Sequence, residues 1–299
     1  MHFRTAVDPA LTHHQSSDVS GGQSLHHQIG AIGAERGAEA VGVAYYDYHH
    51  RIGWGYRADR WFHAASTIKV PVLLGVFDAI EQGRLKPQSR VHVRNRFLSV
   101  VDGTPYRVEA SRDANSEVQQ SIGRTMQVRE LARHMIVTSS NLATNLLIDI
   151  IGLDEIQKTI ARFGLHGIEL QRGVEDMVAF EHDVNNRVTA DGLLSTLRII
   201  QEEEHFSEEL RTEMLDILHA QEFRSGIPAG LPDNARVANK TGEISTVAHD
   251  AGIIFLPKRE PYVVVVLTEW QPDAGASGRK ETIARISRAV YEYMTGRMP

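Results

Sequence analysis

The chain has 299 residues, 42% of them hydrophobic, which is enough to form a sizeable core in one large domain or two closely packed ones. A formal net charge of -6 provides no basic surface for nucleic acid or an anionic membrane, so the composition favours a small-molecule substrate. Cysteine is absent, which excludes disulfides, a thiol nucleophile and zinc held by thiolates. Covalent catalysis must therefore use an oxygen or nitrogen nucleophile.

The first 22 residues are polar and rich in His, Ser and Gly, and such a composition buries little, so we expect a flexible segment over 1–22. This segment lacks an apolar stretch followed by a small-residue cleavage site. No apolar run elsewhere reaches the length needed to span a bilayer. From the sequence as written we expect an unexported, cytoplasmic monomer that does not contact a membrane.

Hydrophobic periodicity predicts strands near both ends of the chain and helices between them. The pattern begins with a helix over Ser24–Arg36 and a strand over Ala40–Tyr48. Predicted helices in the middle span Ile68–Gln82, Val128–Val137, Leu142–Ile151, Asp154–Phe163, Ala190–Glu203 and Glu208–Leu218. The remaining elements are strands over Arg236–Ala238 leading into Lys240, over Asp250–Leu256 and over Tyr262–Thr268, and a closing helix over Glu281–Met294.

This order of elements predicts an α+β fold, an α/β sandwich in which the chain ends build one antiparallel sheet covered by the terminal helices. The α/β lobe would comprise residues 23–65 and 236–299, and residues 66–235 would form an all-helical lobe. A cleft between two such lobes is the natural place for an active site.

Ser66 and Lys69 begin the strongest predicted helix. Residues three apart lie on one helix face, so the amine can reach the hydroxyl, and free N–H groups at the helix N-terminus would stabilise a developing negative charge. The lysine can act as a base only where burial or a nearby cation lowers its pKa. The same spacing recurs at Ser277 and Lys280, where we interpret the serine as the N-cap of the last helix.

Two further short motifs follow in the chain. The segment Ser139–Asn141 lies between two predicted helices, and taken alone it indicates a helix N-cap at Ser140 or Asn141. The segment Lys240–Gly242 lies where a predicted strand ends, and taken alone it is an ordinary polar strand end. The order SxxK, SxN and KTG, with each motif in the structural context that the chemistry needs, favours one catalytic set.

This set resembles the class A β-lactamase and penicillin-binding family, whose signature is S-x-x-K, S-D-N or S-x-N, and K-T-G. Longer similar stretches are MIVTSSNLATNLL over Met135–Leu147, IPAGLPDNARVANKTG over Ile227–Gly242, and HDAGII from His249. The resemblance covers about Gln23 to Pro299. It implies the two-lobe fold of the family and a serine hydrolase that opens β-lactam rings without a cofactor or a metal.

The resemblance also implies a role for each residue of the first two motifs. Ser66 would attack the substrate carbonyl and become acylated. Lys69 would take the proton from Ser66, directly or through water. Ser139 would relay a proton to the leaving nitrogen, and Asn141 would hold the amide of the substrate side chain.

The third motif would bind the other end of the substrate. By the same resemblance, Lys240 would bind the substrate carboxylate by its charge, and Thr241 would bind it by a hydrogen bond from its hydroxyl. Gly242, the last residue of the motif, would also belong to the substrate-binding site. The oxyanion hole would consist of the backbone N–H groups of Ser66 and Glu243. An acidic side chain at position 243 could oppose a carboxylate substrate unless it points outward.

The chain departs from the family in the loop that supports deacylation. Lactam-hydrolysing members carry R-x-E-x-x-L-N, whose glutamate activates the water that releases the acyl group. Here a gap-free alignment from Arg172 places Gly173 or its neighbour at the position of that glutamate. Glu175 fits only if the loop differs by one residue, and it is equally consistent with a solvated loop carboxylate; Asp176 is the reserve. Ser140 stands where the family has the middle aspartate.

These departures leave three functions open. The first is a β-lactamase in which Glu175 or Asp176 assists hydrolysis of the acyl-enzyme. The second is a related DD-peptidase or esterase that acts on peptidoglycan-like amides or esters. The third is a lactam sensor that becomes acylated and stays blocked.

Overall fold

The structure is a computed structural model that describes residues 19–113, 116–272, 275 and 277–296. It confirms the predicted α+β class. Residues 1–18 of the expected flexible segment lie outside the described residues, whereas 19–22 belong to the first helix. The α-helices are α1 Val19–Glu35, α2 Lys69–Glu81, α3 Ser116–Gln120, α4 Val128–Val137, α5 Asn141–Ile151, α6 Leu153–Arg162, α7 Met177–Glu181, α8 Ala190–Gln201, α9 Glu208–His219 and α10 Arg279–Met294.

The strands come from both ends of the chain, with short pairs between. They are β1 Ala40–Asp47, β2 Ile52–Tyr56, β3 Phe62–His63, β4 Arg90–His92, β5 Phe97–Leu98, β6 Pro105–Tyr106, β7 Thr125–Gln127, β8 Ile168–Glu169, β9 Arg187–Val188, β10 Arg236–Ile244, β11 Val247–Phe255 and β12 Tyr262–Glu269. The main sheet has the order β10-β11-β12-β1-β2, and every pair of neighbours in it is antiparallel.

Strand β12 is apolar on both faces because the sheet is covered on both sides. Val263, Val265 and Leu267 belong to the core shared with the helical part of the molecule. Val264 and Val266 alternate with them and belong to a second core that includes side chains of α1 and α10. Burial on both faces explains why this strand is a continuous run of aliphatic residues.

Helix α2 is the centre of the helical part. Every residue from Lys69 to Ala79 is buried, and the helix packs against α4, α5, α6, α8 and α9. A helix surrounded by others needs apolar residues on all sides, which is the pattern that the sequence shows. The turn over Ala65–Ile68, which leads into α2, meets strand β10, so this packing places the start of the helix at the edge of the sheet.

Four local predictions differ from the structure. Residues 66–235, predicted to be all helical, also contain the short strands β4 to β9, whose two or three residues each are too few to show an alternating pattern in the sequence. Ser66 lies in a 3-10 turn over Ala65–Ile68, and the α-helix begins only at Lys69. A 3-10 turn is common at a helix N-terminus, and the first residue of this one, Ala65, has left-handed backbone geometry. The KTG motif lies within β10, because pairing with β11 continues to Ile244. The N-cap of α10 is Gly278 rather than Ser277.

Candidate active site

The Ser66 hydroxyl is held by a tight turn at the head of α2. Ala65 has a φ of 45°, a conformation that costs energy for a residue with a side chain and persists only where its surroundings enforce it. The turn is fixed by hydrogen bonds from Thr67 Oγ1 to the carbonyl of Ala64, at 2.6 Å, and from the N–H of Ala65 to His63 Nδ1, at 3.1 Å. Ser66 itself is partly exposed. The turn therefore holds a partly exposed serine at the head of a buried helix.

Lys69 is fully buried. Its Nζ donates to the backbone oxygen of Ser139 at 2.6 Å, to Ser139 Oγ at 3.1 Å and to Asn141 Oδ1 at 2.8 Å. The structure thus brings the SxxK and SxN motifs into direct contact, although they are about 70 residues apart. The amine is oriented by three oxygen acceptors.

The pKa of Lys69 lies well below its usual value, chiefly because burial disfavours the charged amine. The nearby amine of Lys240 lowers the pKa further, whereas the carboxylates of Asp113 and Glu175 oppose this shift. This shift favours the neutral form of the amine, whose lone pair can accept a proton. The site therefore meets the condition for a lysine base.

Ser139 connects the two sides of the cleft. Its backbone has a φ of 61°, and its Oγ lies 3.1 Å from the Nζ of Lys69 and 3.0 Å from the Nζ of Lys240. Lys240 is fully buried, donates also to the carbonyl of Thr241 at 2.8 Å, and has its pKa lowered to about 7 by burial, against the effect of Asp250. A hydroxyl between two amines with lowered pKa values is suited to relaying protons.

The N-terminus of α5 is held by a carboxylate that the sequence did not indicate. Asp113 accepts hydrogen bonds from the N–H groups of Asn141, at 3.0 Å, and Leu142, at 3.1 Å. Ser140 caps the same helix by accepting from the N–H of Ala143 at 3.1 Å, as its N-cap interpretation predicted. A carboxylate from another loop thus lies beside the motif that lacks its middle aspartate.

The two candidate loop carboxylates have different surroundings. Glu175 has a φ of 63° and is partly exposed; its Oε1 accepts from Asn141 Nδ2 at 2.7 Å and its Oε2 from the N–H of Glu109 at 3.2 Å. Asp176 is fully buried, and it accepts from the N–H groups of Ala179 and Val100, each at 3.1 Å. The side chain of Glu175 therefore contacts the site, whereas that of Asp176 caps α7 and fixes a neighbouring loop.

In the gap-free alignment, the position of the family glutamate falls on Gly173 or its neighbour Val174, and neither residue has a carboxylate. Asn145 holds the backbone of Val174 by two hydrogen bonds, from the N–H at 2.8 Å and to the carbonyl oxygen at 2.9 Å. A Cβ added to Gly173 would lie 2.2 Å from the hydroxyl of Tyr106, so a larger residue there would require the side chain of Tyr106 to move. This clamp fixes the loop in a register that directs Glu175 toward the site.

Strand β10 lies directly against the Ser66 turn. A Cβ added to Gly242 would lie 2.9 Å from the backbone nitrogen of Thr67 and 3.0 Å from that of Ser66, so the strand can approach this closely only at a glycine. The next residue, Glu243, directs its carboxylate to an ion pair with Lys280 at 2.9 Å, at the surface. Its acidic side chain is thus paired, and its backbone runs beside the turn. Thr241, partly exposed, precedes the glycine in the strand.

The described residues contain no group of three or more His, Asp or Glu side chains that could hold a metal ion. No helix in the described part of the chain is both long and apolar enough to cross a bilayer.

A profile of the β-lactamase enzyme family matches residues 24–294. The chain belongs to this family. It is 28% identical over 224 residues to a β-lactamase of Bacillus licheniformis, an alignment that covers 71% of this chain and 66% of that relative. A mutant of PBP-A, solved as its acyl-enzyme complex with penicillin G, shares 26% identity with a TM-score of 0.77, covering 92% of this chain and 97% of that one.

A similar fold occurs in a variant of the class A β-lactamase of the last common ancestor of Gram-negative bacteria. Its TM-score is 0.80 at 24% identity, covering 92% of this chain and 100% of that one. These matches confirm the resemblance that the three motifs indicated: the chain is a class A β-lactamase-like serine hydrolase. They also confirm the expectation of a small-molecule substrate.

Proposed function

We propose that this protein cleaves the amide bond of β-lactams through an acyl-enzyme at Ser66. The observation that carries the proposal is the convergence of two buried amines, those of Lys69 and Lys240, on the hydroxyl of Ser139, next to the turn that presents Ser66. One amine with a strongly lowered pKa can act as a base, and the other can bind an anion while it is protonated.

Acylation would begin with the substrate carboxylate bound by Lys240 and the hydroxyl of Thr241. The Oγ of Ser66 attacks the carbonyl carbon as its proton passes to the amine of Lys69, whose neutral form burial favours, and the backbone N–H groups of Ser66 and Glu243 stabilise the oxyanion. The carbon–nitrogen bond then breaks. Ser139 gives its proton to the leaving nitrogen and regains one from the amine of Lys69.

Deacylation requires a water molecule to lose a proton as it attacks the ester of Ser66. We assign the role of general base to Glu175, because its carboxylate is hydrogen-bonded to Asn141, a direct partner of Lys69. Asp176 is less suited to it, since both of its oxygens accept backbone N–H groups in a fully buried position.

The second candidate function is a slowly deacylating relative, either a sensor or a peptidase or esterase with a different natural acyl donor. It is favoured by the position of Val174, an apolar residue held by Asn145 where the gap-free alignment expects the family glutamate. Both oxygens of Glu175 are also engaged with the protein. These contacts are compatible with fast acylation followed by slow release.

The intact mass of the protein, followed over time with benzylpenicillin, separates these functions. A β-lactamase shows a transient adduct while the drug is consumed, and a sensor shows an adduct of one intact penicillin that persists for hours. Activity on a D-Ala-D-Ala peptide without turnover of lactams would favour the peptidase. Ser66→Ala should form no adduct, whereas Ser277→Ala, which alters the serine of the second SxxK sequence, should behave as the unmodified protein. Unchanged adduct formation in Ser66→Ala contradicts the proposal.

The role of Glu175 has its own test. Glu175→Gln should slow the decay of the adduct and leave its formation detectable, because the general base acts after acylation. Hydrolysis of a chromogenic cephalosporin that remains unchanged in the double variant Glu175→Gln with Asp176→Asn would remove both loop carboxylates from the mechanism.

A further inference from the structure

The polar groups of the cleft form one hydrogen-bonded chain with opposite charges at its ends. Lys240 Nζ lies 3.0 Å from Ser139 Oγ, which lies 3.1 Å from the Nζ of Lys69. From Lys69 the chain continues through Asn141 Oδ1, at 2.8 Å, and from Asn141 Nδ2 to Glu175 Oε1, at 2.7 Å. The cleft thus has an amine at one end and a carboxylate at the other.

The amide of Asn141 is already saturated by the protein. Its Oδ1 accepts from Lys69, and its Nδ2 donates to Glu175 at 2.7 Å and to the carbonyl of Arg112 at 3.3 Å. An amide nitrogen has two hydrogens to donate, so a substrate carbonyl must displace one of these acceptors to bind it. A neutral acyl side chain therefore finds no open donor at Asn141.

Glu175, in contrast, can accept more hydrogen bonds. A carboxylate offers about four lone-pair sites, and the residues that the structure describes fill two of them, with Asn141 Nδ2 and the N–H of Glu109. No ion pair within 4.0 Å involves Glu175 among the residues that the structure describes, whereas Glu243 on the other wall is paired with Lys280. The partly exposed carboxylate of Glu175 can consequently accept a hydrogen bond from a cationic ligand.

We propose that Glu175 makes the site selective for acyl donors that carry an ammonium group on the carbon next to their side-chain amide. This inference rests on the proposed function, since it concerns the acyl group that Ser66 would accept. The preferred substrates are zwitterions, with the carboxylate at Lys240 and the ammonium at Glu175. A second carboxylate at the ammonium position is repelled by Glu175, so doubly anionic acyl donors are poor substrates.

Three penicillins that differ only at this carbon provide the test. Benzylpenicillin carries hydrogen there, ampicillin an ammonium group and carbenicillin a carboxylate. The second-order rate constant of acylation is measured by rapid quenching and intact mass, at a pH at which the amine of ampicillin is protonated. Acylation is the right readout because it precedes the step in which Glu175 would act as a base.

For the unmodified protein we expect ampicillin to react fastest and carbenicillin slowest, with a total span on the order of tenfold or more, as a charge-assisted hydrogen bond in a partly exposed site allows. Glu175→Gln should compress this span to within about threefold, and Glu175→Asp should retain part of it. Glu181→Gln removes the same charge from an exposed position in α7 and should leave the order unchanged.

A flat or reversed order in the unmodified protein, or an order that persists in Glu175→Gln, overturns the selectivity and leaves the proposed function intact. A complete lack of acylation by all three penicillins overturns the proposed function and the selectivity together. Should Glu175→Gln fail to fold, the comparison of the three penicillins on the unmodified protein, with and without added salt, decides the question: the preference must weaken as salt screens the charges.

Discussion

Replacement of Gly242 by alanine tests how closely strand β10 must approach the nucleophile. The new Cβ would lie 2.9 Å from the backbone nitrogen of Thr67 and 3.0 Å from that of Ser66, whereas ordinary contact begins near 3.4 Å. The strand and the turn must therefore separate by about 0.5 Å. Because a misplacement of about 1 Å can cost about a hundredfold in rate, we expect acylation by benzylpenicillin to slow about tenfold.

The assay is stopped-flow or quenched-flow acylation, with thermal unfolding measured in parallel. Gly252→Ala is the matched control, because its Cβ would lie 3.0 Å from the Cβ of Asn239, a similar overlap in the same sheet but against another neighbour. Both variants should lose about 1 to 3 kcal/mol of stability through overpacking. Acylation at the normal rate in Gly242→Ala, or an equal loss of rate in Gly252→Ala, would refute the reasoning.

Two other predictions concern charge and stability. Burial lowers the pKa of Lys240 to about 7, so the cation that binds the substrate carboxylate is lost as the pH rises through that value. The KM for a penicillin, measured in steady state, should therefore increase above about pH 7. A KM that stays constant up to about pH 9 would contradict this prediction. Asp176→Ala leaves the N–H groups of Ala179 and Val100 without their acceptor. We expect this change to lower the free energy of unfolding, measured by urea titration, by about 1 to 3 kcal/mol. A decrease below about 0.5 kcal/mol would show that the helix cap contributes little to stability.

The sequence predicts the parts of this fold that depend on burial. Helix α2 and strand β12 are continuous apolar runs because neighbours cover them on all sides or on both faces, and such runs are visible without a structure. Strand β2 was not predicted, because it is short and its residues are partly or fully exposed. Exposed strands lack the apolar pattern on which the prediction depends.

The candidate site could be predicted only where its residues form local motifs. Ser66 with Lys69, Ser139 with Asn141, and the KTG segment are short spacings that the chain shows directly. Asp113 has no such pattern, because the two N–H groups that it binds belong to residues 28 and 29 positions later. The orientation of Glu175 depends on its left-handed backbone and on a contact 66 positions away, which no spacing reveals.

The central claim is tested most directly by locating the covalent bond. The protein is treated with benzylpenicillin, quenched in acid and digested, and the peptides are sequenced by tandem mass spectrometry. The account predicts an acyl group, with the mass of one intact penicillin, on Ser66 and on no other residue. An adduct on Ser139 or on a lysine, or the absence of any adduct while the drug is consumed, would contradict it.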